Sequence, residues 1–171
     1  PKLAKEAKDP VEDFQSSLYK LEDGGYGFPS VAFKNAAVTA CTSVSGVTKV
    51  AARQAFHIMG DDLMVHGAFE GLRMRQNLVR IFGAPPAMRE DLVRVGMGTA
   101  DLRYRGEFFP WFATVRVRFN ANVLSAAQIA NLMNTAGFAT GIGEWRPERD
   151  GQSGLFHVAE GHELAAFKEA A

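Results

Sequence analysis

The sequence predicts an α+β fold of the split β-α-β type, an antiparallel sheet carrying helices on one face. Three observations predict it. Phe33, Ala36, Ala37 and Ala40 recur at helical spacing, and so do Ile129, Leu132 and Met133. Phe112 to Phe119, FATVRVRF, alternates instead, with Val115, Val117 and Phe119 on one face and Arg116 and Arg118 on the other. The third is element order: helix, strand, strand, insertion, strands, helix, glycine-rich loop, strand. With 171 residues, 47% of them hydrophobic, the chain has material for one core.

Residues 1–25 read as an N-terminal arm. PKLAKEAKDPVED alternates in charge sign and is interrupted by Pro10, the composition of a mobile or surface-draped segment. Phe14 to Leu21 alternates weakly, and Glu22 to Gly27 is turn chemistry. Residues 26–160 are the expected core. Pro29 and Ser30 open its first helix, whose small residues suit close packing on a sheet. Beyond a polar joint at 43–48, Ala51 to Met59 and Leu63 to Val65 are expected as short strands joined by a Gly60-Asp61-Asp62 hairpin turn.

Residues 67–91 are assigned to a long insertion, a projecting hairpin or finger. Its Leu72–Phe82 run fits both alternation and helical spacing and stops at Gly83-Ala84-Pro85-Pro86. Strands follow within Leu92 to Tyr104 and from Phe112 to Phe119, with Phe108-Phe109-Pro110-Trp111 as an aromatic turn between them. Ser125 is the expected N-cap of the second helix, with Gln128 at the capping-box position and Gly137 at the C-terminal end. A final strand is expected at Leu155 to Val158. Residues 161–171 then form a short amphipathic helix with Leu164, Ala165 and Phe167 on its apolar side. The unit's first strand is either the weak Phe14–Leu21 candidate or a segment upstream of Pro1.

Lys and Arg number 19 and Asp and Glu number 19, so the formal net charge is zero. That argues against coating nucleic acid by bulk charge. The charges are unevenly placed, however. Arg73, Arg75, Arg80, Arg89, Arg94, Arg103, Arg105, Arg116 and Arg118 face only Glu90, Asp91, Asp101 and Glu107 in the same stretch. The single cysteine, Cys41, excludes an internal disulfide framework and a cysteine-based zinc cluster. No apolar run approaches a membrane span and no signal peptide is evident, so a soluble, cytoplasmic protein without a membrane partner is expected.

Catalytic signatures are thin. His57, His66, His157 and His162 lack metal-ligand spacing, and neither metal nor other cofactor is expected. Gly141-Ile142-Gly143 leads into Trp-Arg-Pro rather than opening a helix, which excludes the dinucleotide pattern. Binding to a single nucleic-acid strand needs a positive track for phosphates and flat groups for bases. The Arg73–Arg118 block could supply the track, with Arg103 and Arg105 repeating the alternation of Arg116 and Arg118. Trp145, Trp111, Phe108 and Tyr104 could supply the flat groups. Alternating Arg on one sheet face is more often a solvated surface than a binding one, and the repeat at Arg103 and Arg105 narrows that gap.

Two motifs together resemble the RAMP superfamily, RNA-binding proteins that build CRISPR effector backbones and include guide-processing ribonucleases. The first is Phe28-Pro29-Ser30-Val31-Ala32-Phe33-Lys34-Asn35-Ala36, similar to the family's proline, small residues and Lys near the first helix. The second is Gly141-Ile142-Gly143-Glu144-Trp145-Arg146 through Gly151 and Gly154, similar to its glycine-rich loop. The sequence is also similar to phage and prophage proteins sharing a Gly-Glu-Trp-Arg-Pro segment.

The resemblance implies a ferredoxin-like (RRM-like) core that binds single-stranded RNA or DNA, often polymerising along it. It places phosphate contacts at Ser30, Lys34 and Asn35. It also implies that the loop bearing Gly141, Gly143, Trp145, Arg146 and Arg149 touches the strand or a neighbouring subunit. Two departures stand out: Asn35 replaces the family's usual Gly, and Glu144 lies inside the loop. The expectation is thus a non-catalytic, self-associating binder of single strands. Its rivals are a metal-independent ribonuclease using His57 or His66, and a structural or decoy protein presenting Phe108, Phe109 and Trp111.

Overall fold

A computed structural model of the protein describes residues 8–64, 73–75, 77–94, 96 and 98–170. Helices and small antiparallel sheets make an α+β protein. The chain divides into two compact units, residues 1–27 with 81–113, and residues 28–80 with 114–171. Part of the insertion expected at 67–91 lies outside the described residues.

In the first unit, α1 (Pro10–Ser17) replaces the weak strand expected at Phe14–Leu21. Asp9 Oδ1 accepts from the Val11 and Glu12 N–H groups, and Pro10 occupies a first-turn position where no hydrogen bond is lost. A cap and a proline here outweigh a weak alternation. A long hairpin of β6 (Ala87–Arg94) and β7 (Ala100–Glu107) builds the rest, pairing Leu92 with Leu102 and Arg89 with Arg105. The Ser17 hydroxyl accepts from the Gly106 N–H, tying α1 to β7. Phe82 of β5 (Leu78–Gly83) stacks on Phe112 of β8 (Trp111–Phe112) at 5.1 Å.

The second unit holds most of the buried apolar residues. Strand β1 (Tyr26–Pro29) leads directly into α2 (Ser30–Ala40). Its Phe33, Ala36, Ala37 and Ala40 are buried, as are Leu132, Met133 and Ala136 of α4 (Ala126–Ala139), and the two helices pack together. The α4 N-terminus has the capping box expected from the sequence, with Ser125 and Gln128 each satisfying the other's backbone N–H. Phe33 meets Phe28 and Phe156 edge-on.

Four local expectations are corrected here. The Thr48 hydroxyl accepts from the Ala51 N–H and starts α3 (Lys49–Ala55), so β2 begins only at Phe56 (Phe56–Met59). Gly60-Asp61-Asp62 is not a hairpin turn, because β2 pairs with β9 (Arg116–Phe119), while β3 (Asp62–Met64) pairs with β4 (Arg73–Arg75).

Gly137 lies inside α4 rather than ending it. The Phe156 carbonyl occupies the space a Cβ would take there, and the Phe156 N–H donates to the Gly137 carbonyl. Residues 155–158 form no strand. They run along α4, where the Val158 N–H donates to Asn134 Oδ1. Helix α5 (Gly161–Ala170) ends the described chain. Among the described residues, no helix is long and apolar enough to cross a membrane.

Candidate nucleic-acid interface

The β2–β9 ribbon follows strand period. Phe56 and Ile58 are buried, whereas His57 between them is exposed. The register sets His57 opposite Arg118 and Met59 opposite Arg116, so both arginines share the outward face with the histidine. Arg116 donates through Nη2 to the Gly60 carbonyl at 2.7 Å, and Arg118 is exposed.

Lys34 approaches from α2. Its Nζ donates to the Arg53 carbonyl at 3.0 Å, lies 3.3 Å from His57 Nδ1, and sits 5.9 Å from the Phe56 ring centroid. An ammonium only donates, so this contact assigns the acceptor role to Nδ1 and the ring proton to Nε2. Lys49 and Arg53 on α3 are exposed. No Asp or Glu occurs from Phe28 to Gly60 or from Thr114 to Gly143, whereas Lys34, Lys49, Arg53, Arg116 and Arg118 do. These five cations therefore come from stretches of chain without a carboxylate, and Asp61 follows directly after Gly60.

The other expected arginines behave differently. Arg103 and Arg105 are on β7 of the first unit, whose partner strand is β6, so they do not continue the β9 ladder. Arg105 reaches Asp91 at 3.1 Å and Arg103 reaches Asp101 at 3.7 Å. Arg89 holds Asp91 through both Nε and Nη2 at 3.0 Å and also contacts Glu107. Lys8 joins Asp101 at 3.0 Å and also donates to the Leu102 carbonyl. Tyr104 is paired across the ladder with Glu90, and desolvation, then that carboxylate, pushes its hydroxyl pKa upward.

At the α2 entry, the Ser30 N–H donates to the Asn77 carbonyl at 2.7 Å and Ser30 is buried. Asn35 is exposed one helical step away from Lys34. The glycine loop closes on itself. Ile142 N–H donates to Gly154 O, Glu148 N–H to Thr140 O, Gly151 N–H to Arg146 O, and Ser153 N–H to Trp145 O. Gly141 and Gly143 have φ of 67° and 78°, the left-handed region that favours glycine.

Arg146 reaches Glu148 with Nε at 2.9 Å and Nη2 at 2.8 Å, and donates through Nη1 to the Gly143 carbonyl. Trp145 has φ of 56° and is 44% exposed, and Arg149 is exposed. The loop therefore offers outward side chains, while these amides are engaged internally.

Sequence reasoning treated His57 only as a catalytic candidate and missed Lys49 and Arg53 altogether. The missing signal was Thr48 as a helix cap, which turns KVAARQA from a strand into a helix with an exposed cationic side. His66 lies outside the described residues. Cys41 is buried, and burial raises its thiol pKa, which suits packing. No family model, curated protein or solved structure matches the chain.

Proposed function

We propose that this protein is a non-catalytic binder of single-stranded nucleic acid, RNA in the first instance, that self-associates along the strand. The observation that carries this reading is the outward face of the β2–β9 ribbon, where His57 shares a face with Arg116 and Arg118 and Lys34 lies against the ring, all on stretches of chain that hold no Asp or Glu. A zero-charge protein can bind a polyanion only through such a local field. Membership of the RAMP superfamily and a ferredoxin-like arrangement of β1, α2, β2, β9 and α4 belong to the same proposal. Their support is the pair of sequence motifs and the order of those elements.

Trp145, exposed and flanked by Arg149, is assigned to base stacking. The ribonuclease alternative draws no support from His57, because a ring protonated on Nε2 presents a donor outward rather than a base.

Fluorescence anisotropy with a labelled oligouridylate, run across a salt series, tests the proposal. Binding should weaken steeply with salt. Arg116→Ala with Arg118→Ala should reduce the log–log salt slope by about 1.4, roughly 0.7 per lost phosphate contact. Binding that ignores salt, or none at low salt, refutes it. Sizing with and without nuclease treatment tests self-association, since assemblies held by a strand should collapse on treatment.

A further inference from the structure

The ribbon face contains an arrangement that general positive charge does not require. The Lys34 ammonium meets the His57 imidazole, and Arg118 is paired with His57 directly across the ladder. Directly paired strand residues bring their Cβ atoms within about 5 Å, so the two side chains leave the same face of the ribbon as neighbours. Among the described residues, the elements packed around His57 bring Lys34 from α2, the Arg53 carbonyl with its exposed side chain from α3, and Arg118 from β9. None of these elements carries an Asp or Glu.

Lys34 is doubly held, by the Arg53 carbonyl and by Nδ1, and therefore fixes the ring as well as its tautomer. The outcome is one N–H donor with a guanidinium fork on the neighbouring strand, a donor set that matches adjacent oxygens of a tetrahedral oxyanion.

We propose that His57 Nε2–H and the Arg118 guanidinium form a seat for one phosphoryl group, with Lys34 as the positioning residue that orients the imidazole. This rests on the single-strand reading above and sharpens it from a diffuse field to a located contact. The shared ligand chemistry is a phosphoryl oxyanion, which a strand's phosphodiester or free phosphate could supply.

The test uses the full chain labelled with 15N at histidine, observed by long-range 1H–15N correlation. It is titrated separately with an oligouridylate lacking terminal phosphates and with inorganic phosphate. The free protein should show the Nε2–H tautomer at His57. The oligouridylate should move its Nε2 resonance at lower concentration than inorganic phosphate does. His57→Ala and Arg118→Gln should each weaken oligouridylate binding by roughly 3- to 10-fold, the worth of one hydrogen bond. His57→Gln, which keeps an N–H donor, should recover part of the loss.

Lys34→Met should give mixed tautomers at His57 together with weaker binding, whereas Lys34→Arg should keep the tautomer. A role limited to structure would move neither the tautomer nor the Nε2 shift. Oligouridylate binding with a stationary His57 resonance and full affinity in His57→Ala overturns the seat but leaves the binding reading standing. No oligouridylate binding, with His57 still responding to inorganic phosphate, overturns the reading and keeps the seat. Silence toward both removes the two together.

Discussion

The β6–β7 hairpin of the first unit and the β2–β9 ribbon of the second differ in how their arginines are matched. In the first, Arg89, Arg103 and Arg105 are matched by Asp91, Asp101 and Glu107 along one hairpin, and Lys8 adds to the same network. In the second, Arg118, Arg53 and Lys49 come from stretches holding no acid at all. Their cores differ as well. The second unit buries Phe33, Phe56, Leu132 and Val79 almost completely, whereas Leu21 is the main buried apolar residue described in the first. A unit with a packed core can tolerate unbalanced charge, while a thin one gains more from its ion pairs. Arginine content alone therefore does not mark a binding surface; the local carboxylates decide it.

The largest expected effect comes from disturbing the packed unit. Gly137→Ala would drive a methyl group into the Phe156 backbone carbonyl, which cannot move without pulling residues 155–158 off α4. The expected loss is about 3 kcal/mol, the upper range for overpacking, read from a denaturant midpoint. A change below about 1 kcal/mol would mean that this segment is held less tightly than its contacts indicate.

The ion-paired unit should respond next. Asp91→Ala removes the carboxylate shared by Arg89 and Arg105, in a site where the Asp91 and Arg105 side chains are 13% and 15% exposed. Partial burial places the cost between surface and interior pairs, about 1–2 kcal/mol. Faster hydrogen exchange at the β6 and β7 amides should report it. Oligouridylate affinity should stay unchanged, and a fall in affinity would blur the distinction between the units.

Legibility in the sequence followed the same division. The α2 and α4 stripes and the Ser125 capping box were readable because period and cap agreed at those places. The Arg116/Arg118 face was readable because FATVRVRF has a clean strand period. Pairing was not. Nothing local says that β9 joins β2 and that β7 joins β6, so four arginines looked like one track. Short capped helices at Asp9 and Thr48 were hidden by weak alternation, since a cap depends on one side chain whereas periodicity is averaged over many. Gly137 looked like a helix stop because a glycine needed for close approach and one needed for positive φ are the same letter.

A smaller effect should carry the opposite sign. Arg118→Gln relieves like-charge crowding with Lys34 across His57, so thermal stability at low salt should rise by about 0.5 kcal/mol while binding weakens. The gain should fade at high salt, where exposed charges are screened. Lower stability in Arg118→Gln at low salt would mean that the face is not strained by its charge, and would weaken the case for an anionic ligand.

The smallest expected effect separates the cationic face from the remainder of its own unit. Glu163 in the first turn of α5 accepts the Glu160 N–H through Oε2 at 2.8 Å and meets His157 Nε2 through Oε1 at 2.8 Å. The backbone hydrogen bond first, then His157, hold its carboxyl pKa below the ordinary 4.5. A carboxylate with a lowered folded pKa contributes stability that is fully present above the unfolded value. That contribution is lost as pH falls through 4.5 and on through the lower folded value. Acidification from neutral to well below 4.5 should therefore loosen the start of α5, seen in the Glu160 amide shift, and Glu163→Gln should abolish that titration. Glu163 lies outside both acid-free stretches, so Glu163→Gln should leave oligouridylate affinity at neutral pH unchanged. If affinity rises instead, this carboxylate contributes to the field at the binding face, and the acid-free description must extend to the chain's end.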